Sequence, residues 1–113
     1  MSTHKMHRND GYSGKGNLLE PSGIADSTVI WMHGLGDTAE GWSSGAFNIK
    51  QFPTTRFIFP TADSRSISLN MGMRMPGWFD ISGLDPSSTE DREGVENSAA
   101  RITNVSFFLG FFP

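Results

Sequence analysis

The chain has 113 residues, 36% hydrophobic and 19% charged, which is the length and balance of one small globular domain and excludes a disordered or fibrous one. A formal net charge of −3, with nine scattered Lys and Arg, excludes the clustered basic surface that nucleic acids and polybasic membrane contacts need. Zero cysteines exclude disulfides, thiolate metal sites and a cysteine nucleophile, and no apolar run approaches the ~20 residues that span a bilayer.

Residues 1–26 are polar and rich in Gly and Ser, with no apolar signal-peptide core, so a cytoplasmic protein is expected. They read as a flexible N-terminal arm with a short extended piece at Leu18 and Leu19. His4 and His7 within it form an HxxH spacing. Two further ligands and a fixed backbone would be required for metal binding, so the pair is read as solvated and the metal assignment is none.

Residues 28–32 (TVIWM) form a β-branched apolar run that predicts a fully buried, parallel strand. A second strand is expected over 54–59 (TTRFIF), closed by Pro60, with a turn or two of helix between 40 and 50. From Pro60 to Pro86 no period is sustained, and a long loop dense in large apolar residues is expected. Ser87/Glu90 and Ser88/Asp91 both fit a helix-start pattern, and Val95, Ala99 and Ile102 share a helical face, which predicts a helix from Thr89 to Val105. Asp80 and Asp85 read as turn or cap residues. Strand, glycine loop, strand, long loop and helix together open an α/β sheet protein.

His33, Gly34, Leu35, Gly36 and Asp37 directly follow the first strand, where glycines let the backbone turn sharply and expose its amides as an anion site. A dinucleotide loop would need Gly at position 39, where Ala39 stands. The alternative is an oxyanion loop of the α/β-hydrolase kind, with the Leu35 backbone N–H as donor. His33 is then a buried, hydrogen-bonded brace, supported by Gly34 and Gly36, and not a catalytic base.

Three blocks, TVIWMHGLGDTAEGW (28–42), LNMGMRMPGWFDISGL (69–84) and EDREGVENSAARI (90–102), resemble the acyl-protein thioesterase and carboxylesterase family of α/β-hydrolases, also called lysophospholipase-like. They occur in the family's order between Thr28 and Asn104, and the middle block is the most specific. The resemblance implies a truncated α/β-hydrolase fold, the N-terminal part of a mostly parallel sheet with flanking helices, in residues 27–105. It implies a cofactor-free serine hydrolase cleaving thioesters of S-acylated proteins, or lipid esters. It also implies an acyl-binding segment at Leu69, Met73, Met75, Trp78 and Phe79, where methionine and aromatic side chains suit an alkyl ligand. Packing on the sheet is the equally open reading of those five.

That chemistry needs a serine, a histidine base and an acid to orient it. A literal GxSxG stands at Gly41 to Gly45, but Ser43 lies well past the strand instead of on a strand-to-helix elbow. The family's order is Ser, then Asp or Glu, then His, whereas His4, His7 and His33 all precede Ser43. Ser43 therefore reads as a solvated loop serine beside a packing Trp42. No triad member is assigned, and the chain reads as the N-terminal half of the family's domain, inactive alone. The end, 106–113 (SFFLGFFP), departs from the family pattern and places Phe107, Phe108, Phe111 and Phe112 together. Exposed apolar surface is expected to promote self-association, with at most peripheral membrane contact and no nucleic-acid partner. A non-catalytic fragment that binds lipid or a partner, or a product without function, is the alternative.

Overall fold

The structure is a computed structural model that describes residues 3–8, 15–45 and 48–108, with side chains up to Val105. It divides into two compact units, Met1–Thr61 and Ala62–Pro113.

The first unit is built on a four-stranded sheet of order β1-β2-β4-β3. Its strands are β1 (His4–Arg8), β2 (Gly16–Pro21), β3 (Ser27–Ile30) and β4 (Thr55–Pro60). β1 and β4 both pair with β2 antiparallel, while β3 runs parallel to β4. A parallel pair needs a crossover, and it contains the short helix α1 (Ala39–Ser43) and a 3-10 turn at Ile49–Gln51. Leu19, Phe57, Phe59 and Ala39 form the core between sheet and helix, with Met6, Trp42 and Ile49 packed against it. The two phenylalanines are there because residues two apart on a strand share a face.

This arrangement corrects the reading of 1–26 as an arm. The described parts of that segment include two strands, and β2 lies inside the sheet with Leu18 and Leu19 each 4% exposed. Gly16 permits the close approach of β2 to β4: a side chain there would sit 2.5 Å from the Phe59 carbonyl oxygen and 2.8 Å from Pro60 Cα. His4 is also not solvated. It is buried, with its Nε2–H donated to the Thr55 carbonyl at 2.7 Å and Nδ1 2.8 Å from the Thr3 hydroxyl.

The row His4, Pro21, Thr55 crosses three strands. His4 pairs with Pro21, and continuing the Leu19↔Phe57 register brings Pro21 opposite Thr55. Trp31 N–H donates to the Ile58 carbonyl, so the Ile58 carbonyl faces β3 and, by alternation, that of Thr55 faces β2. Proline has no N–H to offer there, and the imidazole supplies the donor instead.

The expected fully buried first strand is corrected too. β3 ends at Ile30, lies at the sheet edge, and leaves Val29, Trp31 and Met32 between 37% and 40% exposed.

In the second unit, the long loop expected after Pro60 contains an antiparallel hairpin. Its strands are β5 (Ser64–Ile67) and β6 (Met73–Pro76), joined through a 3-10 turn at Ser68–Asn70. The helix α2 (Arg92–Phe108) begins three residues later than expected and extends beyond Val105. Asp91 caps its first turn, with one carboxylate oxygen accepting from Gly94 N–H at 3.0 Å and the other from Asp80 N–H at 2.8 Å. Val95 on the expected helical face is 45% exposed, and Val105 is buried at 2%. The Phe-rich side chains from Phe107 onward lie outside the described residues.

Candidate functional site

The turn after β3 is the feature on which a catalytic reading depends. Gly34 to Asp37 closes as a β-turn, with Asp37 N–H donating to the Gly34 carbonyl at 3.2 Å. Gly36 sits at φ 81°, the left-handed value that the third residue of a type II turn demands and that glycine adopts without strain. His33 Nδ1 lies 2.7 Å from the same Gly34 carbonyl, which makes it the donor of that bond. At 3% exposure, the imidazole is buried and braces the turn through Nδ1. Leu35 is 41% exposed, and among the described residues no acceptor takes its N–H. A backbone N–H without an acceptor on a turn at the carboxyl end of a strand is able to donate to an anion.

α1 follows at once and explains the GxSxG match. Gly41, Trp42 and Ser43 are helical, so no strand-to-helix elbow exists at Ser43. Ser43 is 7% exposed, and its Oγ accepts from Asn17 Nδ2 at 2.8 Å. This corrects the picture of a solvated loop serine: the hydroxyl packs under β2 and satisfies a buried amide. Asn17 Nδ2 is also 3.0 Å from Glu40 Oε1, and Glu40 accepts from Arg8 Nε at 2.6 Å. The Arg8 hydrogen bond, with Asn17 behind it, holds the Glu40 carboxyl below its ordinary range. No histidine bonds Ser43 among the described residues, since His4 and His33 are engaged with backbone carbonyls. Trp42 packs on Trp31 with ring centroids 4.8 Å apart and planes tilted by 47°, and its indole N–H is buried with no partner among the described residues.

The five acyl-site candidates all fall in the second unit, in different settings. Met73 is 66% exposed and Leu69 40%; Met75 is half-buried, with its sulfur accepting from Asn70 Nδ2 at 3.7 Å. Trp78 is braced to α2: its carbonyl accepts from Ser98 Oγ, and the Arg101 guanidinium lies 5.6 Å over its ring. Phe79 alone of the five lines the groove of about 320 Å³ formed with Ile81, Leu84, Pro86 and Val95. Asp80, Asp85 and Asp91 also belong to that groove, and each is held below the ordinary carboxylate range. For Asp80 and Asp85 the first cause is a serine hydroxyl, Ser68 and Ser87 respectively; for Asp91 it is the backbone N–H of Asp80. These carboxylates are occupied as turn and cap acceptors. Among the described residues, no cluster of His, Asp or Glu could hold a metal.

A mixed sheet with a glycine turn braced by histidine at the end of a parallel pair is consistent with an α/β-hydrolase-type fold. The phospholipase/carboxylesterase family model matches residues 16–105, and the chain belongs to that family. It is 39% identical over 85 residues to acyl-protein thioesterase 1 of Schizosaccharomyces pombe, a match spanning 75% of this chain and 38% of that protein. With acyl-protein thioesterase 1 of Gibberella zeae the identity is 46% over 87 residues, covering 70% of this chain and 37% of the relative. The crystal structure of Zea mays acyl-protein thioesterase 2 superposes with a TM-score of 0.75 at 36% identity, over 81% of this chain and 39% of that one. Arabidopsis thaliana SOBER1, at 24% identity and TM-score 0.59, shares the fold. The chain thus spans well under half the length of the relatives it matches. The family match begins at residue 16, so it includes β2, which sequence reasoning had assigned to the arm.

Proposed function

We propose that this chain contributes the oxyanion turn of an acyl-protein thioesterase or carboxylesterase-like serine hydrolase, acting on thioesters of S-acylated proteins or on lipid esters. The observation that carries this reading is the turn itself: a Leu35 N–H without an acceptor among the described residues, on a type II turn pinned by His33 and Gly36. Such a donor stabilises the oxyanion that forms when an acyl carbonyl is attacked. His33 acts through the turn as a positioning residue, and Gly34 and Gly36 permit the backbone path.

Attack needs a nucleophile activated by a base. Ser43 accepts a hydrogen bond from Asn17 and has no histidine against it, so by our reading it supports packing and no triad member lies in the chain. The 113-residue chain alone should therefore give no turnover of a p-nitrophenyl ester, and Ser43→Ala should leave that result unchanged. Robust hydrolysis abolished by Ser43→Ala would overturn the assignment.

Exposure of Leu69, Met73 and Phe79 favours a second reading, a non-catalytic fragment that binds an acyl chain. Saturable titration with a fluorescent fatty acid, weakened by Met73→Asp or Phe79→Asp, is its expected result. Unsaturable or mutation-insensitive binding would remove it.

A further inference from the structure

We infer that Ser87 is a phosphorylation site for an acidophilic serine kinase, one that reads an acidic residue three positions after the acceptor, and that its phosphate opens the loop beside the groove of the second unit. Ser87/Glu90 and Ser88/Asp91 both fit a helix start, but Asp91 caps α2, accepting from Gly94 N–H at 3.0 Å. The S-x-x-[DE] spacing is therefore free to serve as a charge pattern of the kind by which kinases select substrates. Between 85 and 93 the chain has Asp85, Glu90, Asp91 and Glu93 against one cation, Arg92.

The structure chooses among three adjacent hydroxyls. Residues 82–89 form a loop closed at its base by the Ile81–Glu90 bridge and by Ser82 Oγ–H, which donates to the Thr89 carbonyl at 2.7 Å. Within it Pro86 and Ser87 are the central residues of a β-turn, where Ser88 N–H donates to the Asp85 carbonyl at 3.0 Å. Ser87 is displayed on that turn and exposed, and its hydroxyl donates to the Asp85 carboxylate in a bond open to water. Three residues on, the Glu90 carboxylate is exposed and engaged by no hydrogen bond or ion pair among the described residues. Ser88 fails on both counts. It is half-buried with its Oγ packed on Gly83, and both oxygens of its acidic residue, Asp91, are taken by the N–H groups of Gly94 and Asp80. Thr89 has Arg92 at that place, a charge of the wrong sign. Acceptor, acidic determinant and loop closure all lie within residues 81–90, so the site is local.

In the transfer, Ser87 Oγ forms a bond to the γ-phosphorus of magnesium-bound ATP as the bond from that phosphorus to the β,γ-bridging oxygen breaks. ADP leaves with the electron pair, and the hydroxyl proton passes to the catalytic aspartate of the kinase. The phosphate replaces a donor to Asp85 by a dianion beside it, and like charges so close repel. Asp85 also accepts from Ser87 N–H at 2.8 Å, so moving it releases the turn. Asp80, Glu90 and Asp91 line the same groove and add to the repulsion. The inference stands apart from the hydrolase reading, since it uses no residue of the oxyanion turn.

The test incubates the full chain with casein kinase II, magnesium and ATP, and follows intact mass and fragment spectra. One phosphoryl group on Ser87 is expected. Ser87→Ala, at an exposed position, should keep the far-ultraviolet circular dichroism of the wild type and lose the modification, whereas Ser88→Ala should keep it. Glu90→Gln leaves every hydroxyl in place and should slow the transfer about tenfold, which separates recognition from mere accessibility. In the phosphorylated chain the amides of Ser87 and Ser88, both bonded to Asp85, should exchange with deuterium about tenfold faster, while those of β4 stay unchanged. A wild-type chain that takes no phosphoryl group, a Ser87→Ala or Glu90→Gln chain modified as fast as wild type, or label on Ser88 or Thr89 instead would overturn the site. Unchanged exchange after complete phosphorylation would overturn the opening of the loop.

Discussion

Ser68 donates both its backbone N–H, at 2.8 Å, and its hydroxyl to the carboxylate of Asp80. Bonds to the charged form favour it, which is why the Asp80 carboxyl is held low. Ser68→Ala removes the larger of the two contributions, so the Asp80 titration should move up towards the ordinary aspartate value in a carbon-13 carboxyl NMR experiment; an unmoved midpoint would contradict the assignment. Gly16 offers a second test at this scale. A methyl group there must displace the backbone of β4, and Gly16→Ala should lower stability in urea by about 1–3 kcal/mol, the usual range for overpacking. His33 and Ser43 differ in what the sequence foretold. The bracing role of His33 follows from its place before two glycines, but the donor to Ser43 is Asn17, on a strand distant in sequence, and no local pattern encodes that pairing.

Among the elements, β3, β4 and α2 were legible because each has a dense local signal: β-branched and aromatic runs for the strands, and a cap followed by helical spacing for the helix. β1 and β2 were not. β1 is an edge strand with a polar sequence, and β2 has only Leu18 and Leu19 between Asn17 and Glu20, so its burial depends on partners contributed by other elements. Asn17 is 4% exposed and is satisfied by Ser43 and Glu40 on α1; Glu20 pairs with Arg56 on β4 through both carboxylate oxygens. Deleting the buried donor exposes this dependence. Asn17→Ala should cost about 1–3 kcal/mol, as expected for a buried hydrogen-bonding group left without its partner, and should raise the amide exchange rates of α1 before those of β4. Equal loss of protection in both elements would mean that α1 docks by its apolar face alone. The β5–β6 hairpin escaped notice because SRSI and MRMP are short and lack the alternation that marks a half-buried strand.

Over the whole molecule, the carboxylates with lowered titration, Glu40, Asp80, Asp85 and Asp91, all act as acceptors in the folded state. A folded-state value below the unfolded one contributes stability above the ordinary carboxylate range and loses it as pH falls through the folded value. The urea midpoint should therefore be flat from neutrality down to about pH 5 and then drop steadily towards about pH 2, the window in which such groups protonate. A midpoint that rises on acidification would reverse the sign and refute the role given to these acids. Fold class and family were readable from three motif blocks, and exposed apolar surface was expected; which residues carry it, Met71, Met73, Leu84 and Val95 among them, depends on packing that composition does not encode. One arrangement in the sheet also binds the fates of two positions. Because the His4 side chain does for the Thr55 carbonyl what Pro21 cannot, the two residues are coupled: His4→Ala should be more harmful while proline stands at 21, and Pro21→Val, by restoring a main-chain donor, should relieve the part of that cost that comes from the lost hydrogen bond, leaving the loss of His4 packing on Phe57. The double replacement should then be milder than its parts added together, an epistasis written by one missing hydrogen.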